Sequence, residues 1–167
     1  MTGVAQKFLD PENKADYVVT GMPPKKMFRL FRKHFKYVKA AGGIVKNPAG
    51  EYLFIRRFNI WDLPKGKLKK KETPGKGALR EVMEETGVKG LKIEKKLANT
   101  YHVYTLNGKN YLKKTHWFLM SVPEKQNLTP QTVEEITEAK WLEREKSLAA
   151  LKESYRSLHD ILSPFIR

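Results

Sequence analysis

The chain has 167 residues, 40% of them apolar and 11% aromatic, which is one domain's worth of sequence and excludes an intrinsically disordered chain. It contains no cysteine, which excludes a disulfide framework, a thiolate zinc site and a cysteine nucleophile. The net charge of +15 is unevenly placed: residues 17–50 carry +8 without one Asp or Glu, residues 52–71 carry +6, and residues 72–167 only +3. That asymmetry suits an anionic partner (nucleic acid, a membrane surface or a polyphosphate), or equally a solvated basic surface with no specific partner. No apolar core followed by a small-residue cleavage site is seen near the start, and no apolar run reaches the length of a membrane span, so neither a secretory signal nor a span is expected and the expected address is the cytoplasm.

Residues 1–24 are weakly patterned and end in Met22-Pro23-Pro24, which reads as an arm or linker. Residues 25–36 place Met27, Phe28, Leu30, Phe31 and Phe35 at near-helical spacing among seven cationic or histidine side chains. This predicts a short basic amphipathic helix, packed on its own domain or turned to a membrane or RNA. Tyr37–Lys46 and Glu51–Phe58 read as strands joined by a hairpin turn at Asn47-Pro48-Ala49-Gly50. Residues 73–86 predict a helix with Thr73 at its N-cap, Pro74 in its first turn and Gly87 at its stop. Two more strands, Lys92–Thr105 and Tyr111–Val122, flank an Asn107-Gly108 turn, and a last strand is expected around Ala139–Leu142. Leu148, Leu151, Tyr155, Leu158 and Leu162 predict one amphipathic helix over 145–162, ended by Pro164. The order predicts an α/β layered domain with helices on a mixed sheet.

The segment 66–88, GKLKKKETPGKGALREVMEETGV, stands apart. On a helix Glu81, Glu84 and Glu85 are related by i+3 and i+4, so three carboxylates share one face. Such crowding repels unless a hard cation neutralises it, and an oxygen-only donor set favours Mg²⁺ or Mn²⁺ over zinc. Arg80 is placed to pair with a carboxylate and fix its orientation. Gly87 permits a sharp turn after the helix, and Gly66 lets the preceding loop bring carbonyls near the metal.

Gly66, Glu72, Arg80-Glu81-Val82, Glu84-Glu85 and Gly87-Val88 together carry the full signature of the Nudix box, and the chain resembles that MutT-like hydrolase family over about residues 38–162. The resemblance implies a Nudix-type α/β/α sandwich with a mixed β-sheet over residues 37–167, preceded by an arm and basic helix over 1–36. It implies a Mg²⁺-dependent pyrophosphohydrolase in which water attacks one phosphorus of a diphosphate bridge. It implies Glu81, Glu84 and Glu85 as metal ligands with a backbone carbonyl of Lys65 or Gly66. Glu81 is a possible base, and Glu72 and Arg80 support the carboxylates. A late acid before Trp141 serves some members as an extra ligand or base; Glu134, Glu135 and Glu138 stand there, and Glu135 is the choice here.

The entry run Trp61-Asp62-Leu63-Pro64-Lys65-Gly66-Lys67 looks like that of the diadenosine-polyphosphate, diphosphoinositol-polyphosphate and mRNA-decapping branches. Lys65 and Lys67 are expected to contact phosphate. Successive strand residues Arg56 and Arg57 face opposite ways, so at most one of them is expected to reach phosphate, and Arg57 is the choice. Tyr101 is the candidate to stack on a base. A small polyphosphate such as diadenosine tetraphosphate is the expected substrate. An RNA-end pyrophosphohydrolase, with helix 25–36 on the RNA backbone, and a non-catalytic nucleotide-binding module are the alternatives. The oligomeric state is not set by these motifs.

Overall fold

A computed structural model describes residues 2–10, 12–13 and 15–166. Its backbone divides into two compact units: residues 1–38 with 101–114, and residues 39–100 with 115–167. No helix among the described residues is long and apolar enough to cross a membrane.

The chain forms one seven-stranded sheet, most of it within the larger unit. Its strands are β1 (Lys36–Lys46), β2 (Tyr52–Arg57), β3 (Ile60–Asp62), β4 (Lys65–Lys67), β5 (Lys92–Leu106), β6 (Lys109–Ser121) and β7 (Ile136–Leu142). The main order is β3-β2-β1-β6-β5, with β4 paired to β1 and β7 to β2. The pairs β1–β2, β1–β4, β2–β3 and β2–β7 are antiparallel. Val122 N donates to Lys46 O where the C-terminal ends of β6 and β1 meet, so these two run parallel and the sheet is mixed.

Alternation along the strands sorts the core into two layers. Ile44 and Phe54 face one way, toward Leu151, Leu158 and Leu162; their neighbours Val45 and Leu53 face the other, toward Ala78 and Val82. Helix α3 (Pro74–Thr86) supplies the second layer, and α4 (Arg144–Lys152) with α5 (Arg156–Ile166) supplies the first. This is the expected α/β/α sandwich.

Two local expectations are corrected. The segment expected as one helix over 145–162 is two, broken at residues 153–155, where Ser154 bridges Trp61 of β3. Pro164 does not end α5 but lies inside it. The turn beyond it is held by tertiary contacts: Ile166 is buried, Tyr52 Oη donates to Phe165 O, and Arg144 Nε donates to Ile166 O at 2.8 Å. The three-residue strands β3 and β4 were not foreseen, because each is too short to show a period. Thr73 does stand at the N-cap of α3, but its hydroxyl makes no capping hydrogen bond.

The smaller unit holds α1 (Thr2–Lys7), inside the segment expected to be an arm, and the basic helix α2 (Pro24–Arg32). With the distal β5–β6 hairpin they enclose Ala5, Phe35 and Leu112, packed by Phe28, Phe31 and Val103. Asn107 and Gly108 both adopt positive φ, 50° and 66°, at the hairpin turn, as the Asn-Gly pair requires.

Candidate active site

Helix α3 presents the carboxylates and the short strand β4 presents the loop backbone. Glu81 is 5% exposed and Glu85 is 0% exposed, while Glu84 remains open to solvent. Strand β4 is held against β1 by the pairs Ala41↔Gly66 and Gly42↔Lys65. There Lys65 N donates to Glu85 Oε2 at 2.8 Å. The other oxygen, Glu85 Oε1, is buried with no hydrogen-bond partner. A methyl group built on Gly66 would overlap the Glu81 carboxylate, so only glycine lets the loop and that side chain occupy this space.

Arg80 is the junction of the site. Its Nε and Nη2 each lie 2.8 Å from an oxygen of Glu72, a two-pronged pair. Nη2 also donates to Lys67 O at 3.1 Å, and Nη1 lies 2.7 Å from both Glu81 and Glu84. Glu72 Oε2 accepts from Lys69 N as well, at 2.8 Å. Those bonds, Arg80 first, hold the Glu72 carboxyl down at about 2. One guanidinium thus ties the loop 67–72 to the acidic face of α3.

Burial works against ionisation of the two inner carboxyls. It pushes Glu85 up to about 8, with the field and N–H of Lys65 only partly opposing it. It also raises Glu81, against the pull of Arg80. The helix ends at Gly87 in the left-handed region, φ 73°, with its N–H on Met83 O at 2.9 Å. The last carbonyls of α3 are satisfied from outside: Thr129 N donates to Thr86 O at 2.8 Å and Gln131 N to Glu85 O at 3.2 Å. The segment 129–131 therefore braces Glu85, a role that its sequence does not announce.

The other expected residues are placed as follows. Lys65 is nearly buried, its ammonium 2.6 Å from Asp62 Oδ2. Burial alone would lower it, but Asp62 and Glu85 outweigh that and hold it above its ordinary range. Asp62, a buried acid that sequence reading passed over, was findable from its i, i+3 spacing to Lys65. Lys67 is exposed and gives its carbonyl to Arg80. A bulge interrupts the β2–β7 register between Arg56 and Arg57. Arg56 pairs with Glu138 at 3.3 Å over the Trp61 ring, and Arg57 lies 3.6 Å from Glu134.

Glu135 is exposed, in the left-handed region at φ 61°. The neighbouring acid whose charge is felt at both Glu81 and Glu85 is Glu134. Tyr101 belongs to the smaller unit, where it is 43% exposed and meets Phe28 edge-on at 5.0 Å between ring centres.

Among the described residues, no three acidic or imidazole side chains stand ready-made as a metal cage; the guanidinium of Arg80 lies among three of the carboxylates instead. The donor set nonetheless fits a hard divalent ion. It is all oxygen, and a buried carboxylate oxygen at Glu85 lacks any partner.

The buried carbonyls and carboxylates of this site have a sheet-and-helix frame with known counterparts. A family model, the NUDIX domain, matches residues 36–161. The chain belongs to the Nudix (MutT-like) family of hydrolases. Among proteins of known sequence it is 29% identical over 117 residues to the m7GpppN-mRNA hydrolase dcap-2 of Caenorhabditis elegans, covering 66% of this chain and 14% of that protein. It is 44% identical over 52 residues to a MutT-like protein of Streptomyces ambofaciens, covering 30% of this chain and 34% of that one. The chain thus spans only 14% and 34% of the lengths of these two relatives. Among solved structures, a C. elegans Ap4A hydrolase binary complex superposes with a TM-score of 0.58 at 24% identity, covering 78% of this chain and 93% of that one. The MutT protein from Methanosarcina mazei Go1 gives 0.60 at 24% identity, with 78% and 94% covered.

One consequence concerns pH. In metal-free protein the folded state holds the Glu85 proton up to about pH 8, whereas an unfolded carboxyl loses it near 4.5. Between those values the unfolded chain binds fewer protons, so stability should fall as pH rises. Thermal melts in chelator from pH 5 to 8 should show this decline, and Glu85→Gln should flatten it. A melting temperature that rises through this window in wild type would contradict the assignment.

Proposed function

We propose that this chain is a divalent-metal-dependent pyrophosphohydrolase acting on a small polyphosphate of the diadenosine tetraphosphate type. One observation carries the reading: a fully buried Glu85 with an unpartnered oxygen, beside Glu81, against a glycine loop that admits no side chain. Glu81, Glu84, Glu85 and the Gly66 carbonyl would hold Mg²⁺ or Mn²⁺, which supplies charge neutralisation on the phosphoryl oxygens and activation of water. Arg80 and Glu72 keep the carboxylates oriented, and the Arg80 charge is already spent on them, so it is not available to phosphate. Lys67 is an exposed cation of the loop that can bind phosphate, whereas Lys65 is committed to Asp62; Arg57, 3.6 Å from Glu134, is the second candidate and would share its charge between that acid and phosphate. Glu134, whose charge acts on both inner carboxyls, takes precedence over Glu135 as an extra ligand or base.

The test is hydrolysis of diadenosine polyphosphates, nucleoside triphosphates, inositol pyrophosphates and capped RNA in ¹⁸O-labelled water with Mg²⁺. Label on one product identifies both the substrate and the attacked phosphorus. Cleavage of capped RNA alone would favour the second reading, an RNA-end pyrophosphohydrolase, which the 29% identity to the decapping enzyme supports. No turnover of any phosphoanhydride would overturn both. Glu134→Gln is expected to slow the reaction at least ~100-fold, the lower end of the range for a lost acid–base group. Glu135→Gln should leave it near wild type, and rate measurements on the pair distinguish the two acids.

A further inference from the structure

Lys65 gives its two kinds of donor to two different acids. Its backbone N–H donates to Glu85 Oε2 at 2.8 Å, while its ammonium lies 2.6 Å from Asp62 Oδ2. The second oxygen of Asp62 is engaged as well, since Oδ1 accepts from Leu63 N at 2.8 Å. Glu85, by contrast, keeps one buried oxygen, Oε1, with no hydrogen-bond partner. The three groups lie within one another's field. Burial is the main force raising Glu85; the Lys65 ammonium opposes it, and the Asp62 charge adds to it.

In a dry site an ammonium is drawn to any anionic oxygen within reach, because an unpaired charge there is costly. The side chains of Lys65 and Asp62 are only 10% and 5% exposed, so water contributes little to either. Lys65 has a long flexible stem, yet its ammonium is on Asp62 and not on Glu85 Oε1. The backbone sets this choice. Leu63 is fully buried, and Pro64 O accepts from Gly43 N at 3.1 Å. A methyl group built on Gly42 would overlap Pro64 O and Lys65 Cβ. The Gly42-Gly43 pair of β1 thus lets the loop lie close against the strand, with Asp62 and Lys65, three residues apart, joined across the Leu63-Pro64 step. An ammonium bonded to Glu85 Oε1 would repel a dication and occupy its place.

We infer that Asp62 is a positioning residue that acts through Lys65: it draws the ammonium away from Glu85 and so keeps Oε1 open for the divalent ion. The inference rests on the reading of Glu85 as a metal ligand given above, and adds to it a residue that touches neither metal nor substrate. Without the Asp62 anion, ammonium and dication compete for one oxygen.

The test is calorimetric titration of the full chain with Mg²⁺, for wild type, Asp62→Asn, and Asp62→Asn combined with Lys65→Met. The backbone N–H at position 65 remains in all three, so the bond to Glu85 Oε2 is not altered by design. Asp62→Asn should weaken Mg²⁺ binding ~10–100-fold, the range for a lost partner behind a metal ligand. Because the effect is competitive, excess Mg²⁺ should return most of its turnover of a small polyphosphate. A crystal structure of Asp62→Asn should show Lys65 Nζ about 3 Å from Glu85 Oε1. The double variant lacks the competing ammonium and should bind Mg²⁺ with near wild-type affinity. Uncharged residues of similar volume can replace a buried ion pair without loss of the fold. Should Asp62→Asn fail to fold, the double variant therefore decides alone: near wild-type binding supports the inference and weak binding overturns it. Wild-type affinity in Asp62→Asn overturns the inference while leaving Glu85 as a ligand. A double variant as weak as the single one also overturns it, since that is the result of a purely structural pair. Absence of Mg²⁺ binding in wild type brings down the metal reading itself, and this inference with it.

Discussion

Glu85→Gln should reduce turnover by about three orders of magnitude, the scale of losing a key electrostatic group in an active site, with no loss of thermal stability. Glu85 is the innermost acid of the site, at 0% exposure, and one of its oxygens is already held by Lys65 N. Glutamine preserves that bond and the side chain's volume but cannot supply a second anionic oxygen. Burial already pushes the native carboxyl up to about 8, so the uncharged substitute relieves desolvation rather than adding it. Added Mg²⁺ should raise the melting temperature of wild type, since a ligand of the native state stabilises it by mass action, and this increment should vanish in the variant. Rates under Mg²⁺ saturation with parallel melts decide the matter. Wild-type turnover, or an intact Mg²⁺ increment, would sink the assignment of Glu85 as a ligand.

Gly66→Ala is the second large effect, expected to lower activity at least ~100-fold and stability by about 1–3 kcal/mol, the usual range for overpacking. The added methyl would overlap the Glu81 carboxylate. That carboxylate has little room to retreat, because it is buried and 2.7 Å from Arg80. Arg80 in turn is clamped by Glu72 and Lys67 O, so displacement would spread into the loop. If the damage runs through Glu81, the effects must be non-additive. Gly66→Ala combined with Glu81→Ala should be no slower than Glu81→Ala alone. Full additivity of the two rate losses would show that Gly66 acts by some other route. Circular dichroism of each variant separates loss of the site from loss of the fold.

The box itself was legible without coordinates because its chemistry is local. Three glutamates at i, i+3 and i+4 must share a helix face, whatever surrounds them. The same holds for the Asn107-Gly108 hairpin, for the stop at Gly87, and for the alternation that divides β1 and β2 between two layers. Each depends on the backbone geometry of a few consecutive residues.

Contacts between distant segments were not legible in this way. The bracing of Glu85 by Gln131 N, the commitment of Lys65 to Asp62 and the charge of Glu134 felt at Glu81 and Glu85 depend on how loops are laid against α3. A spacing rule does not describe that. The split into α4 and α5, and the survival of α5 past Pro164, were also decided outside the helix, by Ser154 on Trp61, by Tyr52 on Phe165 and by burial of Ile166. Sequence alone therefore determined which acids share a helix face and that a glycine precedes them. Only the tertiary structure decided which oxygen is left buried without a partner, because desolvation is a property of everything packed around a group and not of its chain neighbours.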